Sequence, residues 1–183
     1  MCDWLYLKTM RYWQSWLIKS TLAIVVLAGL SGCGPSSKNV EKAMPMLERE
    51  AIQFERPSVG NGQPVRLSDY TGQVVLVKFF ATWCGSCSAM NPEIQAFYDQ
   101  YQSKGVQIIA ASIDKDPAVV KAYSEQHAIG YPIVMADTEL LEQYGAVNAV
   151  PTVYILNRDH TVVSRFRGYR SRQALADLVD EHI

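Results

Sequence analysis

The sequence has little of what a disulfide-stabilised or zinc-binding domain needs. It contains only four cysteines and three histidines in 183 residues. Small secreted domains space several cysteine pairs through the fold, and a structural zinc site usually takes four Cys or His ligands. Two of the cysteines lie within the first 33 residues, and the histidines stand singly, as expected of surface or helix-end residues. We therefore predict neither a disulfide framework nor a bound metal.

An excess of charge of one sign is also absent. The chain has 17 Lys and Arg against 18 Asp and Glu, for a net charge of −1. Nucleic-acid-binding domains carry basic patches, and none is visible here, so we expect no nucleic acid partner. Apolar residues make up 49% of the chain and charged residues 19%, which is typical of a globular protein.

No apolar run is long enough to cross a bilayer as a helix. The longest covers residues 21–30, whereas a spanning helix needs about 18 or more apolar residues. Arg11 and Lys19 precede this run and small residues follow it. A basic start, a short apolar stretch and small residues describe an export signal, so the sequence predicts an exported protein.

The export signal ends in Leu30-Ser31-Gly32-Cys33, which resembles the lipobox of bacterial lipoproteins. The resemblance implies lipid attachment at Cys33, and two acyl chains on one cysteine suffice for stable anchoring. An ordinary secretory signal whose cleavage site happens to contain a cysteine is the alternative.

This signal divides the chain into three predicted parts. Residues 1–32 are the signal peptide, 33–49 a lipid-anchored tether and 50–183 the folded domain. In Gram-negative lipoproteins an aspartate after the lipidated cysteine favours the inner membrane, so Gly34 favours the periplasmic face of the outer membrane. In a Gram-positive cell the same anchor would hold the domain on the outer face of the cell membrane.

The folded part alternates between strand and helix patterns. The first two predicted strands flank an Asn61-Gly62 pair, a strong hairpin signal. The predicted strands cover 53–56, 64–67, 74–80, 106–113, 133–136, 152–156 and 161–166. The predicted helices cover 85–103, 116–127, 138–144 and the C-terminal segment. This order predicts an α/β fold with a central mixed sheet, helices on both faces and an extra N-terminal hairpin.

Two cysteines stand where the strand at 74–80 gives way to the following helix. Parallel strands joined by helices place that strand centrally, with a site at its carboxyl end. Cys84-Gly85-Ser86-Cys87 then puts two thiols on the first helical turn, where free N–H groups and the helix dipole favour a thiolate. We expect Cys84 to attack a disulfide and Cys87 to resolve the mixed disulfide. A purely structural disulfide across two residues would constrain little.

The motif Trp83-Cys84-Gly85-Ser86-Cys87 resembles the thioredoxin superfamily, which has Trp-Cys-X-X-Cys at this point. Pro92 matches the proline inside the first helix of that family, and Val150-Pro151-Thr152 resembles its cis-proline loop. The resemblance implies a thioredoxin-like fold with a cis Pro151 facing the cysteines. It also implies that Trp83, Val150 and Pro151 bind the substrate.

Further motifs are similar to the TlpA/ResA branch of this superfamily. They are the extra hairpin, the Leu67-Ser68-Asp69-Tyr70 turn and the pattern over residues 137–152. Members of this branch are membrane-anchored thiol-disulfide oxidoreductases outside the cytoplasm, often reductases. The resemblance implies disulfides of exported proteins as substrates and a membrane-side electron donor. The redox-active disulfide Cys84–Cys87 would serve without any cofactor.

Two positions depart from these families. Thioredoxin has a buried aspartate six residues before its first cysteine, where this chain has Lys78, and the cytochrome-maturation members have a glutamate where this chain has Met90. Glu93 lies one helical turn further on. Lys78 admits two interpretations. Its stem runs past the sheet edge with the ammonium in water, or its ammonium lies near the thiols, favours the thiolate and makes the protein more oxidising than thioredoxin. Ser86 stands in place of thioredoxin's proline, and we expect it also to make the protein more oxidising.

Two other functions compete with this one. Thiol peroxidases of the peroxiredoxin type share the fold, but their Pro-X-X-X-Thr-X-X-Cys loop differs from Phe80-Ala81-Thr82-Trp83-Cys84. Copper-binding proteins of the Sco type use Cys-X-X-X-Cys with a distant histidine, which is one residue longer than the spacing here. The spacing differs, but thiolates bind Cu(I) well. Both alternatives stay open at this point.

Overall fold

The computed structural model describes residues 47–183. The predicted signal peptide, the lipid-attachment residue Cys33 and nearly all of the predicted tether lie outside the described residues. Among the residues that are described, no helix has the length and apolar character needed to cross a membrane.

A five-stranded mixed sheet forms the centre of the fold, beside a separate antiparallel pair made of β1 and β2. The pair comprises β1 (Glu55–Pro57) and β2 (Pro64–Arg66). The sheet comprises β3 (Val74–Phe80), β4 (Val106–Ser112), β5 (Ile133–Met135), β6 (Thr152–Leu156) and β7 (Val162–Arg167). Its order is β5-β4-β3-β6-β7, parallel from β5 to β3 and antiparallel from β3 to β7. The predicted mixed sheet with β3 at its centre is therefore confirmed.

Helices cover both faces of this sheet, as predicted. They are α1 (Gly85–Tyr101), α2 (Pro117–Gln126), α3 (Thr138–Gln143) and α4 (Arg172–Val179). Short 3-10 turns cover Leu67–Tyr70, Gln102–Lys104 and Asp180–His182. The predicted helix end at 103 was too long, because α1 stops at Tyr101 and a 3-10 turn follows. Gly105, with φ of 83°, then turns the chain into β4 in a conformation that glycine adopts without a Cβ clash.

Side chains of β3 alternate between two apolar clusters, which explains why every residue of this strand is buried. Leu76 and Phe80 pack with α1, α2 and α4, whereas Val75, Val77 and Phe79 pack with α3 and the N-terminal hairpin. A central strand buried on both faces shows a continuous apolar run. The single charged residue in the strand, Lys78, lies on the same side as Phe80, facing α1.

One histidine is not where the sequence predicted it. His160 is 3% exposed, and its Nε2 lies 3.2 Å from the Tyr70 carbonyl oxygen. It has φ of 59° in the turn between β6 and β7, so the turn directs the ring inward. His127 caps the end of α2 as expected.

Candidate active site

The loop between β3 and α1 brings the two cysteines to the carboxyl edge of the sheet. Cys84 is the N-cap of α1, with its own backbone extended, and its Sγ accepts a hydrogen bond from the Cys87 backbone N–H at 3.2 Å. Ser86 Oγ lies 3.3 Å from the same sulfur. A thiolate at this point accepts a hydrogen bond from the first turn of the helix, whose N–H groups and dipole favour negative charge.

The two thiols differ in their access to solvent. Cys84 is 8% exposed and Cys87 is fully buried, and both are free. Beside them the Trp83 side chain is 71% exposed, which is unusual for so large an apolar group. An incoming disulfide therefore meets Cys84 first, in front of an exposed aromatic surface.

The pKa values of the two thiols are shifted in opposite directions. Burial acts to raise the pKa of Cys84, but hydrogen bonds from Cys87 and Ser86 outweigh it, so the pKa is lowered. Burial raises the pKa of Cys87 to about 12, and the hydrogen bond with Cys84 adds to this, while the positive charge of Lys78 opposes it weakly. Because the thiolate is the nucleophile, the geometry supports Cys84 as the attacking sulfur.

The loop before β6 closes the other side of Cys84. The Val150–Pro151 peptide bond is cis, as the resemblance implies. Cys84 Sγ lies 3.5 Å from the Val150 carbonyl oxygen, to which the thiol donates. A groove of about 480 Å³ is lined by Trp83, Cys84, Gly85, Ile113, Asn148, Ala149 and Val150. The expected substrate-binding residues Trp83 and Val150 thus border one groove at the reactive sulfur.

Lys78 lies inside the protein, so the interpretation that its ammonium reaches water at the sheet edge is wrong. The residue is 1% exposed, and its Nζ donates a hydrogen bond to Asn91 Oδ1 at 2.9 Å. Burial lowers the pKa of Lys78 to about 8, although negative charge on Cys87 or Cys84 favours the ammonium. The direction of this charge effect agrees with the second interpretation, which stays a prediction.

The other two positions near the pair do not supply an acid. Met90 is fully buried in the apolar cluster that contains both cysteines. Glu93 Oε2 accepts a hydrogen bond from the Arg172 backbone N–H at 2.7 Å, so this carboxylate serves the first turn of α4.

Asp114 is a site residue that the sequence analysis missed. Its carboxylate accepts hydrogen bonds from the Thr82 N–H at 2.9 Å and the Thr82 hydroxyl at 2.7 Å, and from Ser112 Oγ. Burial opposes ionisation, but these hydrogen bonds lower the pKa of Asp114. The carboxylate fixes the loop that carries Trp83 and Cys84. The only signal in the sequence was a polar residue just beyond the carboxyl end of β4.

Replacing Asp114 with alanine is expected to destabilise the protein by about 1–3 kcal/mol, because Thr82 loses both acceptors. Urea unfolding should show a difference that shrinks below about pH 4, since a carboxyl whose folded pKa is lowered contributes fully above its unfolded pKa of about 3.9 and loses that contribution as the pH falls through its folded pKa. Asp159→Ala is the control, because Asp159 is exposed and its carboxylate makes no hydrogen bond within residues 47–183. Equal stability of the two variants would contradict the anchoring role.

Comparison with known proteins gives the family of this chain. A profile described as the AhpC/TSA family matches residues 47–165. The chain belongs to the AhpC/TSA family. Thiol-disulfide oxidoreductase ResA of Bacillus cereus is 28% identical over 163 residues, which are 88% of this chain and 93% of ResA. ResA of Bacillus anthracis is 30% identical over 136 residues, which are 74% of this chain and 78% of that protein.

The fold is also found in a solved structure. A thiol:disulfide interchange protein from Chlorobium tepidum superimposes with a TM-score of 0.69 at 26% identity, over 76% of this chain and 97% of that protein. The thioredoxin-like fold, the relationship to ResA and the extra strand pair are confirmed. This member of the AhpC/TSA family is a thioredoxin-like thiol-disulfide oxidoreductase.

Proposed function

We propose that the protein is a reductase for disulfides in exported proteins, with Cys84 as the attacking sulfur and Cys87 as the resolving one. The observation that carries the proposal is the asymmetry of the two thiols. Cys84 is at the surface of the groove with a lowered pKa, and Cys87 is behind it, fully buried, with a raised one. Attack followed by internal resolution needs an accessible sulfur that ionises readily and a second sulfur behind it.

The groove at Cys84 supports a protein substrate. An extended segment can lie between Trp83 and Val150 and present its disulfide to the sulfur. Exposed aromatic surface next to a reactive group favours binding of a polypeptide over a small polar molecule. Pro151 is buried and does not line the groove, and its proposed role in substrate binding rests on its position next to Val150.

The pKa pattern also supports the reducing direction. A strong oxidant of this chemistry owes its potential to a strongly stabilised reduced form. Here one thiol has a lowered pKa and the other a raised one, so the reduced form gains little from ionisation overall. The positive charge of Lys78 stabilises it modestly.

The reduction potential tests the direction. Equilibration with glutathione is expected to give a value above thioredoxin's about −270 mV and well below DsbA's about −120 mV. A value near that of DsbA would overturn the reductase proposal, and a value at or below that of thioredoxin would remove the contribution of Lys78. Consumption of peroxide or tight copper binding by the purified protein would instead favour one of the two alternatives.

The cellular setting is part of the same proposal. Lipid on Cys33 would hold the domain at the outer side of a membrane, with the outer membrane favoured in a Gram-negative cell. The dithiol there needs a membrane-side electron donor, because the surroundings are oxidising. Metabolic labelling with a fatty acid should mark the wild-type protein and not Cys33→Ser, and unlabelled wild-type protein would contradict the anchor.

A further inference from the structure

Four arginines stand close together at the end of β7 and in the turn that follows it. Arg165, Arg167, Arg170 and Arg172 lie within residues 160–176, a stretch of sequence without Asp or Glu. In the rest of the domain acidic residues outnumber basic ones. The expectation of no basic patch, which rested on the net charge, therefore misses this local cluster. The Nε and Nη2 atoms of Arg165 are buried, which leaves three arginines at the surface.

These three arginines, Arg167, Arg170 and Arg172, form the basic rim. Arg167 and Arg172 are exposed. Arg170 is half-buried, with its guanidinium over the Phe166 ring at 5.0 Å from the ring centre. None of the three guanidiniums makes an ion pair with a carboxylate of residues 47–183. Their charge is therefore available to a partner.

The basic rim borders the cis-proline loop of the active site. Arg167 is paired across β6 and β7 with the residue that follows Pro151. The Gly168 N–H donates to the Pro151 carbonyl oxygen at 2.9 Å. On the other side of this proline, the Val150 carbonyl oxygen lies 3.5 Å from Cys84 Sγ. The rim thus begins directly beside the loop that contacts the reactive sulfur.

A polypeptide that presents its disulfide to Cys84 extends to the rim. Neighbouring strands lie about 5 Å apart, and an extended chain advances about 3.3 Å per residue. Positions about two or three residues from the reacting cysteine of the substrate are therefore at the right distance to meet the long side chains of Arg167 and Arg170.

The carboxylates near the active site leave the rim with a net positive charge. Glu93 Oε2 accepts a hydrogen bond from the Arg172 backbone N–H at 2.7 Å, so this carboxylate offsets one of the three charges. Asp114 lies at the end of β4, where it holds Thr82, and the exposed Lys115 follows it. The cis-proline side of the active site is therefore the basic side.

We propose that the basic rim selects polypeptides with acidic residues about two or three positions from the reacting cysteine. This inference deepens the proposed function and rests on it. Guanidinium groups bind carboxylates through paired hydrogen bonds, and complementary charge speeds the encounter of two partners. Tyr169, which is 45% exposed between Arg167 and Arg170 in the chain, supplies an aromatic contact for the same segment.

Three peptides test the inference on the full chain, reduced and purified in detergent. Each peptide carries one cysteine joined by a disulfide to thionitrobenzoate, with Asp, Asn or Lys at the second and third positions on both sides. The Cys84 thiolate attacks the sulfur of the peptide cysteine, and thionitrobenzoate leaves with the electron pair of the broken bond. Its release should be at least about tenfold faster with the Asp than with the Asn peptide at low salt, and slowest with the Lys peptide.

Salt separates charge from other contacts in this assay. The Debye length falls from about 30 Å at about 0.01 M salt to about 3 Å at about 1 M. The ratio of the rate constants for the Asp and Asn peptides should therefore approach one as salt is added. A ratio that does not respond to salt would overturn the proposal.

Reversing the charge of the rim should reverse the preference. Arg167→Glu combined with Arg170→Glu should react faster with the Lys than with the Asp peptide. The milder pair Arg167→Gln and Arg170→Gln should bring the ratio for Asp and Asn peptides to within about twofold of one. Should the first pair fail to fold, the second pair tests the same charges.

Lys104→Glu combined with Arg158→Glu is the matched control. Both side chains are exposed, and they lie before β4 and between β6 and β7, at the sheet edge opposite the cysteines. This pair makes the same change in net charge and should keep the wild-type order of the three peptides. A reversed order in the control as well would assign the effect to overall charge and would refute the role of the rim.

An anionic lipid surface is the other ligand that three arginines fit. Equal rate constants for the three peptides in the wild type would overturn the proposal. If they are accompanied by protection of residues 165–172 from amide exchange only in micelles that contain phosphatidylglycerol, the rim contacts a membrane instead. Failure of all three peptides to react with the wild type would contradict the proposed function itself.

Discussion

Cys87→Ser should convert the protein into a trap that stays covalently attached to its substrates. In this variant Ser86 and the N-terminus of α1 still lower the pKa of Cys84, so Cys84 still attacks a disulfide. No second sulfur is then available to release the mixed disulfide. Non-reducing gels of membranes from cells expressing the variant should show adducts that disappear with reductant, and mass spectrometry would identify the attached proteins.

Cys84→Ser should behave in the opposite way. The remaining thiol, Cys87, is fully buried and has a pKa of about 12, so at neutral pH it reaches no substrate as a thiolate. Insulin reduction should fall by about three orders of magnitude or more, the scale of losing a nucleophile. Ser86→Ala is the matched control in the same turn, since it keeps both thiols, and it should retain activity within about tenfold. Adducts on Cys84→Ser but not on Cys87→Ser would reverse the assignment of the two sulfurs.

Lys78→Met should make the protein more stable at neutral pH. The folded protein lowers the pKa of Lys78 from 10.5 to about 8 through burial, which corresponds to about 3 kcal/mol of lost stability when the group is charged. Replacing a buried charge with an apolar side chain of similar size often stabilises a protein by about 1–4 kcal/mol. Methionine matches the lysine stem in length and adapts to the space.

The stability difference between Lys78→Met and wild type should depend on pH. Between pH 8 and 10.5 the unfolded chain binds a proton at Lys78 that the folded protein does not, so wild-type stability rises with pH across this window. The advantage of Lys78→Met over wild type should therefore be largest below pH 8 and shrink toward pH 10. Urea unfolding of both reduced proteins at pH 7 and pH 10 would measure it.

Comparison with a neutral replacement elsewhere on the same strand separates charge from packing. Val77→Ala removes apolar volume from a fully buried position of β3 and should destabilise the protein by a similar amount at both pH values. A Lys78→Met variant less stable than wild type at pH 7 would contradict the burial cost.

The two cysteines show what a local sequence pattern can predict and what it cannot. A seven-residue apolar run followed by Cys84-Gly85-Ser86-Cys87 was enough to predict a central strand, a helix start and a dithiol. The difference in burial between the two sulfurs was not predictable in this way. The burial of Cys87 depends on the apolar cluster around it, which includes Met90 and Phe80. This cluster also contains residues of α2 and α4, which lie far from Cys87 along the chain.

The sequence by itself determined the order of strands and helices, the mixed sheet with β3 at its centre and the position of the cysteine pair. These follow from periodicity and turn chemistry, which act over a few neighbouring residues. Only the tertiary structure decided that Lys78 is buried against Asn91, and that Asp114 holds Thr82. Such contacts join separate elements, and a strand's own pattern cannot show whether a lysine stem ends in water or in the core, because that depends on what packs above it.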